Sequence, residues 1–296
     1  MDRLRPYPPP QSSRHSYEGQ GVSPSESAAN SLRPHRADFD GQADIYDQRV
    51  GLSDAVCVAI AQAVLTLAEI RPGDLIVEMG AGTGLIGRLL AQSMVRYVGV
   101  DLSRAMLTRF RQRLETSRPA GLLQADGNHQ WPLGTGSARV IFSSRAMHWL
   151  ASDHVVAETF RVVCPDRAVL VLGRVQRRHE SVPAQMQQEM RRQLRQHGLQ
   201  PRQGVRYDRQ LIDVYRHRGA AVIEPVRVAQ WTVRRTPRQS IEAWQSKPGL
   251  GGLDPPLAVK TEILQHLRQW AGETLGGLDT EVACDESYVI QGARLR

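Results

Sequence analysis

The apolar residues of this 296-residue chain fall into two alternating patterns. One pattern repeats every three to four residues, as in "DAVCVAIAQAVLTLAEI" after Ser53, and predicts an amphipathic helix capped by that serine. The other is a short continuous apolar run, as in "DLIVEMG" after Pro72 and Gly73, and predicts a buried strand. Their alternation along the chain predicts a doubly wound α/β fold, a parallel sheet with helices on both faces.

Five strands are predicted in the first part of the chain: "DLIVEMG", "RYVGVD", "AGLLQAD", "ARVIFSS" and "RAVLVLGRV". Helices are predicted near residues 85–94, 103–117, 152–163, 183–197, 207–218, 238–246 and 255–271. Two late segments, "AAVIEPVRVAQWTV" and "TEVACDESYVIQGARL", have strand-like patterns. We expect these two late strands to pair with each other at an edge of the sheet. No internal repeat is present.

Composition divides the chain into a tail and one large domain. Residues 1–36 are rich in Pro, Ser, Gly and Arg and poor in apolar residues, which predicts a disordered basic tail. Residues 37–296 are long enough to bury a substantial core. We expect a cofactor-binding half over 37–176 and substrate-side elements over 177–296.

The net charge of +8 suits a polyanionic partner. Nearly all cations are arginine, with lysine only at Lys247 and Lys260, and codon usage explains that skew as easily as binding does. Nucleic-acid binding is therefore possible but not favoured. The stretch 174–209 holds nine arginines against three acids. It is either a solvated helix or a lid that recognises an acidic substrate or RNA.

Cysteine and hydropathy patterns bear on location and on metals. Cys57, Cys164 and Cys284 are far apart, without a C-x-x-C pair or clustered histidines, so no metal site is predicted. No apolar run reaches the roughly 18 residues of a membrane span, and no signal-peptide core is present. We expect a cytoplasmic protein.

The glycine-rich stretch "VEMGAGTGLIG" follows the first strand and fits two registers. Gly80, Gly82 and Gly84 form a G-x-G-x-G turn preceded by an acid, whereas Gly82, Gly84 and Gly87 form the G-x-G-x-x-G of a dinucleotide-binding loop. Glycine permits a tight turn and lets a ligand approach the main chain. In either register the loop lies at the carboxyl ends of the strands, where open parallel sheets bind ligands.

Carboxylates end three successive strands, at Glu78, Asp101 and Asp126. An acid at the first position is a poor neighbour for a pyrophosphate but a good one for a ligand that carries an ammonium and a sulfonium. Asp101 would accept hydrogen bonds from ribose hydroxyls in either register, and Asp126 from an adenine amino group. Both aspartates also suit helix caps or turns.

Several motifs occur in order between about Asp40 and Arg174: "YDQRVG", "VEMGAGTG", "GVDLS", "QADGNHQWPL", "VIFSSRAMHWL" and "FRVVCPDRAVLVL". In these the chain resembles the class I S-adenosylmethionine-dependent methyltransferases, and among them the small-molecule type 11 domain. The resemblance implies a Rossmann-like, seven-stranded, mostly parallel sheet in the order 3-2-1-4-5-7-6, with an antiparallel last strand. It also implies S-adenosylmethionine as cofactor, and it favours the first register.

The resemblance further implies which residues hold the cofactor. Glu78, Gly80 and Gly82 would cradle its methionine part. Asp101 would hold the ribose, and Leu102 would lie against the adenine.

At the other side of the cofactor, Asp126 and Gly127 would meet the adenine edge. Tyr46 and Arg49 would close over the cofactor, with Arg49 available to its carboxylate. The alternatives are a solvated arginine and a tyrosine packed under the first helix. Ser143 falls where the family passes main chain close to the sulfonium.

Candidate catalytic and substrate-binding residues follow strand four and lie between the late strands. Because the histidine side chain ordinarily changes charge near neutral pH, His148 suits a general base, although it equally suits a residue that shapes the pocket. Arg145 can pair with a substrate carboxylate or point to solvent. Trp244 and Lys247 are candidates for acceptor contact, and the alternative for Trp244 is packing of a helix onto the sheet.

The predicted function is methyl transfer from S-adenosylmethionine to a small molecule, with an O, C or N acceptor atom undetermined. The sequence "SSRA" stands where base-methylating enzymes often carry Asn/Asp-Pro-Pro-aromatic, which disfavours nucleic-acid bases. The alternatives are an RNA or protein methyltransferase, an NAD-dependent oxidoreductase, and a methyltransferase-like protein without turnover. The sequence predicts no oligomeric state.

Overall fold

The computed structural model describes residues 40, 46–47, 51–114, 120–201 and 204–295, without the side chains of 204–206. The predicted tail, 1–36, lies outside these residues. The described residues form a seven-stranded sheet in the order β3-β2-β1-β4-β5-β7-β6. Its strands are β1 Leu75–Met79, β2 Arg96–Asp101, β3 Ala120–Gln124, β4 Val140–Ser144, β5 Val169–Arg177, β6 Ala221–Arg235 and β7 Val282–Arg294.

Strand directions match the prediction. The strands β1 to β5 pair in parallel, whereas β7 runs antiparallel to both β5 and β6. The two late strands therefore pair with each other, and β6 lies at the edge of the sheet. The predicted fold class and strand order are confirmed.

Helices occupy the predicted intervals with small shifts in their bounds. They are α1 Asp54–Leu67, α2 Gly87–Ala91, α3 Arg104–Arg113, α4 Ser152–Val162, α5 Val182–Gln196, α6 Gly204–His217, α7 Pro237–Gln245 and α8 Leu257–Thr274. A 3₁₀ turn covers Met147–Trp149. No helix in the described part of the chain is long and apolar enough to cross a membrane.

Two apolar layers cover the sheet, because neighbouring residues of each central strand face opposite sides. In β1, Ile76 packs into the layer that contains α1, while Val77 packs into the layer that contains α4 and α6. Burial on both faces explains why the parallel strands have continuous apolar runs.

A third apolar cluster joins α5, α7 and α8 and includes Cys284 of β7. Cys284 pairs with Val233 of β6, in a part of the β6–β7 pair that extends past the carboxyl end of β5. The three helices therefore lie near the carboxyl ends of the parallel strands, which is where open α/β sheets generally bind ligands. The apolar face of α5 is formed by Val182, Met186, Met190 and Leu194. This helix is consequently not the fully solvated helix that was one of the two predicted alternatives.

Candidate active site

The glycine loop after β1 adopts conformations that favour glycine. The φ angles of Gly80, Gly82 and Gly84 are +73°, +56° and +79°. A Cβ built on Gly80 would lie 2.1 Å from the Cβ of Ala146, so the loop touches the segment after β4. A Cβ on Gly82 would have its nearest neighbour, Tyr46 Cε1, at 3.9 Å. The main chain at Gly82 is therefore the more open to a ligand.

Asp101 fixes this loop to the end of β2. Its Oδ2 accepts a hydrogen bond from the N–H of Gly82 at 2.8 Å, and its Oδ1 accepts one from the N–H of Ser103 at 2.9 Å. Burial raises the pKa of Asp101, and these donors oppose the rise. The side chain of Ser103, not Asp101, caps α3 by accepting from the N–H of Met106 at 3.1 Å.

Glu78 lies behind the loop and is only 2% exposed. The hydroxyl of Tyr97 donates to its Oε2 at 2.5 Å. A Cβ on Gly87 would come within 2.5 Å of the same oxygen, which places the carboxyl group against the start of α2. Burial, assisted by the nearby Asp101, raises the pKa of Glu78 to about 8. Glu78 therefore supports the loop from beneath, and its contact with a cofactor stays a prediction.

The third predicted carboxylate, Asp126, forms a turn after β3. Its Oδ1 accepts from the N–H of Asn128 at 2.9 Å, which matches the turn role that the sequence allowed. The carbonyl of Gly127 accepts from Trp131 Nε1 at 3.0 Å. Trp131 is buried beneath this turn and holds it in place. Leu102 is half-buried, and contacts of Leu102, Asp126 and Gly127 with an adenine stay predictions.

Two described residues of the N-terminal motif, Tyr46 and Asp47, contact the rim of the loop. The Asp47 carboxylate accepts from Thr83 Oγ1 at 2.5 Å and pairs with Arg113. The hydroxyl of Tyr46 accepts from Arg145 Nη2 at 3.5 Å. Arg49 lies outside the described residues.

Sequence reasoning missed the contacts of Asp47 with Thr83 and Arg113. Two of these residues stand inside the motifs "YDQRVG" and "GAGTG", so their positions in the motifs were a usable signal. Arg113 lies in no such motif, because it reaches the site from the end of α3.

The carboxyl end of β4 brings Ser143 and Arg145 to the same edge. Ser143 Oγ donates to the carbonyl of Met79 at 2.8 Å, which ties β4 to the glycine loop. Arg145 has a φ of +60°, and its N–H donates to the carbonyl of Gly173 at 2.9 Å. Its Nε is buried without a hydrogen-bond partner among the described residues. The guanidinium stands 6.0 Å from the centre of the Tyr46 ring and faces the N-terminal residues.

The remaining candidates are placed as follows. His148 is half-buried in the 3₁₀ turn, with its ring centre 5.3 Å from that of Trp149. Trp244 is partly buried and packs against the cluster of α5, α7 and α8. The carbonyl of Lys247 accepts from the ammonium of Lys260. Substrate contact by His148, Trp244 or Lys247 stays a prediction.

Part of the chain that carries these residues matches a known protein family. Residues 76–166, from β1 to the turn before β5, match the family model described as a methyltransferase domain. This segment contains the glycine loop, Asp101, Asp126 and His148, in a sheet with the strand order expected for that family. The match and the strand order support a class I methyltransferase, as the sequence predicted.

Two curated relatives of this chain have the same name as each other. The malonyl-[acyl-carrier protein] O-methyltransferase of Alcanivorax borkumensis is 31% identical over 135 residues, which are 45% of each chain. The enzyme of that name from Laribacter hongkongensis is 34% identical over 143 residues, 44% of this chain and 47% of its own length. The chain thus spans about half the length of the curated relatives it matches.

Among solved structures, the [4+2]-cyclase SpnF resembles this methyltransferase with a TM-score of 0.52 and 14% identity, over 87% of this chain and 94% of the cyclase. At this identity the likeness shows the fold alone. No group of three or more His, Cys, Asp or Glu side chains suited to a metal ion occurs among the residues that the structure describes.

Proposed function

We propose that this methyltransferase binds S-adenosylmethionine at the glycine loop and transfers a methyl group to a carboxylate oxygen of a small acyl acceptor. The observation that carries the proposal is the pair of bonds that Asp101 makes to Gly82 and Ser103, because they join the loop to a carboxylate at the end of β2. The acceptor part of the proposal rests on Arg145 and on the curated relatives.

The residues present fit such a cofactor. The left-handed conformation of Gly82 lets a ligand approach the main chain, and an added Cβ would fill that space, whereas the same position at Gly80 is occupied by Ala146. Asp101 offers a carboxylate to ribose hydroxyls while it still holds Gly82. Tyr46 and Asp47 cover the rim. When bound, S-adenosylmethionine supplies an electrophilic methyl group on a sulfonium.

Arg145 supports a carboxylate acceptor. The main chain of Arg145 is held by the Gly173 carbonyl, and the buried Nε of its side chain has no partner among the described residues. A carboxylate would satisfy this donor through a charge-assisted hydrogen bond. The curated relatives are named for methylating the malonyl group of an acyl-carrier protein, which also ends in a carboxylate.

The acceptor chemistry decides the role of His148. A carboxylate is already ionised at neutral pH, so its attack on a methyl group requires alignment and exclusion of water but no general base. In the proposed reaction His148 therefore shapes the pocket. It acts as a base only if the acceptor is a hydroxyl or a protonated amine.

The environment of the arginine-rich stretch supports a small acceptor over RNA. Arg177 pairs with Glu286 at 2.7 Å and Arg192 with Glu189 at 2.7 Å, so these cations are neutralised within the protein.

The three cysteines are unpaired, which supports the proposed location in a reducing cytoplasm.

A methyl-transfer assay tests the proposal. The protein is incubated with methyl-labelled S-adenosylmethionine and malonyl-acyl-carrier protein, malonyl-coenzyme A or a phenol, and the product is tested for alkali-labile methyl groups. We expect alkali-labile product from the malonyl thioesters and none from the phenol.

Variants separate the residue roles in this assay. Arg145→Gln should lower kcat/KM for the thioesters roughly 10- to 100-fold, through loss of a charge-assisted hydrogen bond. His148→Ala should retain turnover within a few-fold. The matched control is Arg216→Gln, since Arg216 is exposed on α6. Cofactor binding without methylation of a carboxylate would refute the proposed carboxylate acceptor. Loss of all turnover in His148→Ala would indicate that His148 acts as a general base.

A further inference from the structure

A second polar cluster is buried on the face of the sheet that α4 and α6 cover. It consists of Arg174 on β5 with Tyr207 and Asp208 on α6, and we name it the α6 cluster. The side chains of Arg174 and Asp208 are only 17% and 12% exposed. The site described above uses none of these three residues.

The polar groups of the α6 cluster do not satisfy one another. Arg174 Nη1 stands 3.8 Å from Asp208 Oδ2, which is too far for a hydrogen bond. Both Arg174 Nη1 and the Tyr207 hydroxyl are buried without a hydrogen-bond partner among the described residues. A buried polar group left in this state costs about 1–3 kcal/mol, so two in one cluster indicate a binding function.

The α6 cluster lies close to the acceptor side of the candidate active site. Arg174 directly follows Gly173, whose carbonyl accepts from the N–H of Arg145 at 2.9 Å. The helix α6 also contacts the 3₁₀ turn that carries His148. The α6 cluster therefore lies beside the carboxyl ends of β4 and β5.

We propose that Arg174, Tyr207 and Asp208 form a binding site for an anionic oxygen group, a carboxylate or a phosphate, on the part of the acceptor that is not methylated. Arg174 and Tyr207 donate hydrogen bonds to the anion. Asp208 takes up a proton when the anion binds and then donates as a neutral acid. The location on an acceptor rests on the proposed function, whereas the anion site itself does not.

Proton uptake predicts a pH dependence. Asp208 interacts electrostatically with Arg174 on β5 and with its neighbour Tyr207 on α6. Asp153 at the start of α4 interacts with Tyr207, and α6 contacts the turn that carries His148. Burial raises the pKa of Asp208 to about 6, and the attraction of Arg174 opposes the rise. Above that pH, binding of the anion should weaken up to about tenfold per pH unit, because a proton must be taken up.

Calorimetric titration tests the proposal, with malonate as the carboxylate probe and inorganic phosphate as the phosphate probe. Each is titrated at pH 6 and pH 8 into the full chain carrying Arg145→Gln, which removes the other proposed carboxylate partner. In that background we add Arg174→Gln, Tyr207→Phe, Asp208→Asn, or the control Arg216→Gln on the exposed side of α6.

We expect one of the two anions to bind more tightly at pH 6 than at pH 8. Arg174→Gln and Tyr207→Phe should each weaken binding roughly 10-fold or more, and the control should not. Asp208→Asn should abolish the pH dependence and tighten binding at pH 8. The nearly isosteric Tyr207→Phe and Asp208→Asn keep the test decisive if Arg174→Gln fails to fold.

Binding of S-adenosylhomocysteine to the same variants separates this inference from the proposed function. We expect its affinity to be unchanged in the α6-cluster variants. Failure of S-adenosylhomocysteine to bind any protein would refute the proposed function without touching the anion site. The anion site is overturned if neither anion binds at millimolar concentration, or if Tyr207→Phe and Asp208→Asn bind as the control does.

Discussion

Replacement of Glu78 by Gln should remove a pH-dependent loss of stability. The carboxyl group is almost fully buried, and its only described hydrogen bond comes from the Tyr97 hydroxyl. In the unfolded chain this carboxyl ionises near pH 4.5, whereas burial raises the pKa of Glu78 in the folded protein to about 8. Between these values the folded protein holds a proton that the unfolded chain releases. The stability that this bound proton contributes is therefore fully present below pH 4.5 and is lost as the pH rises to 8.

The magnitude of this effect follows from the pKa difference. Each pKa unit corresponds to about 1.4 kcal/mol, so Glu78 lowers the free energy of unfolding by at most roughly 5 kcal/mol across this window. Relaxation around the buried group reduces that figure, and about 2–3 kcal/mol is a workable expectation. Glutamine is neutral at every pH and retains an oxygen that accepts from Tyr97.

Guanidinium unfolding followed by circular dichroism at pH 5, 6, 7 and 8 measures the difference between the two proteins. We expect Glu78→Gln to be no more stable than the wild type at pH 5 and clearly more stable at pH 8. The buried Asp101 also titrates with a raised pKa and is present in both proteins, so only its interaction with Glu78 contributes to their difference. Parallel pH profiles for the two proteins would refute the assignment of a buried, proton-holding Glu78.

Two further stability predictions follow from the described contacts. Gly84 and Gly136 both have positive φ angles, but a Cβ on Gly84 would lie 2.1 Å from Phe110 Cδ2 whereas one on Gly136 meets nothing within 4 Å. Thermal unfolding should therefore show a loss of about 1 kcal/mol for Gly136→Ala and of about 2–4 kcal/mol for Gly84→Ala, and equal losses would contradict the predicted clash. Burial acts to raise the pKa of Glu189, but hydrogen bonds led by that of Arg192 outweigh it and lower the pKa to about 2. The stability that the ionised Glu189 contributes is present above pH 4.5 and is lost as the pH falls towards 2. The free energy of unfolding of Glu189→Gln should therefore fall less steeply over that pH range than that of the wild type, and an unchanged profile would argue against this role.

Much of the fold followed from pattern alone. Continuous apolar runs predicted strands buried on both faces, and the helical patterns between them predicted that these strands are parallel. The order of the strands in the sheet was implied by the family resemblance. The amphipathic face of α5 was also present in the sequence, since Val182, Met186, Met190 and Leu194 recur every fourth residue. The stretch 174–209 is rich in arginine, so its overall composition does not show the apolar face of this helix.

The site was less predictable, because its decisive contacts join residues that are distant in sequence. The carboxylate of Glu78 was expected at the end of β1, whereas its hydrogen bond with Tyr97 on β2 was not. No local pattern reveals that pairing. The α6 cluster joins β5 to α6 in the same way, so a composition count of the stretch cannot show that Arg174 and Asp208 face each other.

Calorimetric titration measures whether Asp101 and the glycine loop form a site for an adenosyl sulfur cofactor, as we propose. S-adenosylmethionine, S-adenosylhomocysteine and NAD are titrated into the wild type and into Asp101→Asn, which keeps one oxygen for either Gly82 or Ser103. We expect one site for each sulfur compound, no binding of NAD, and affinity roughly 10- to 100-fold weaker in the variant. Binding of NAD in place of the sulfur compounds, or equal affinities in the two proteins, would contradict this proposal.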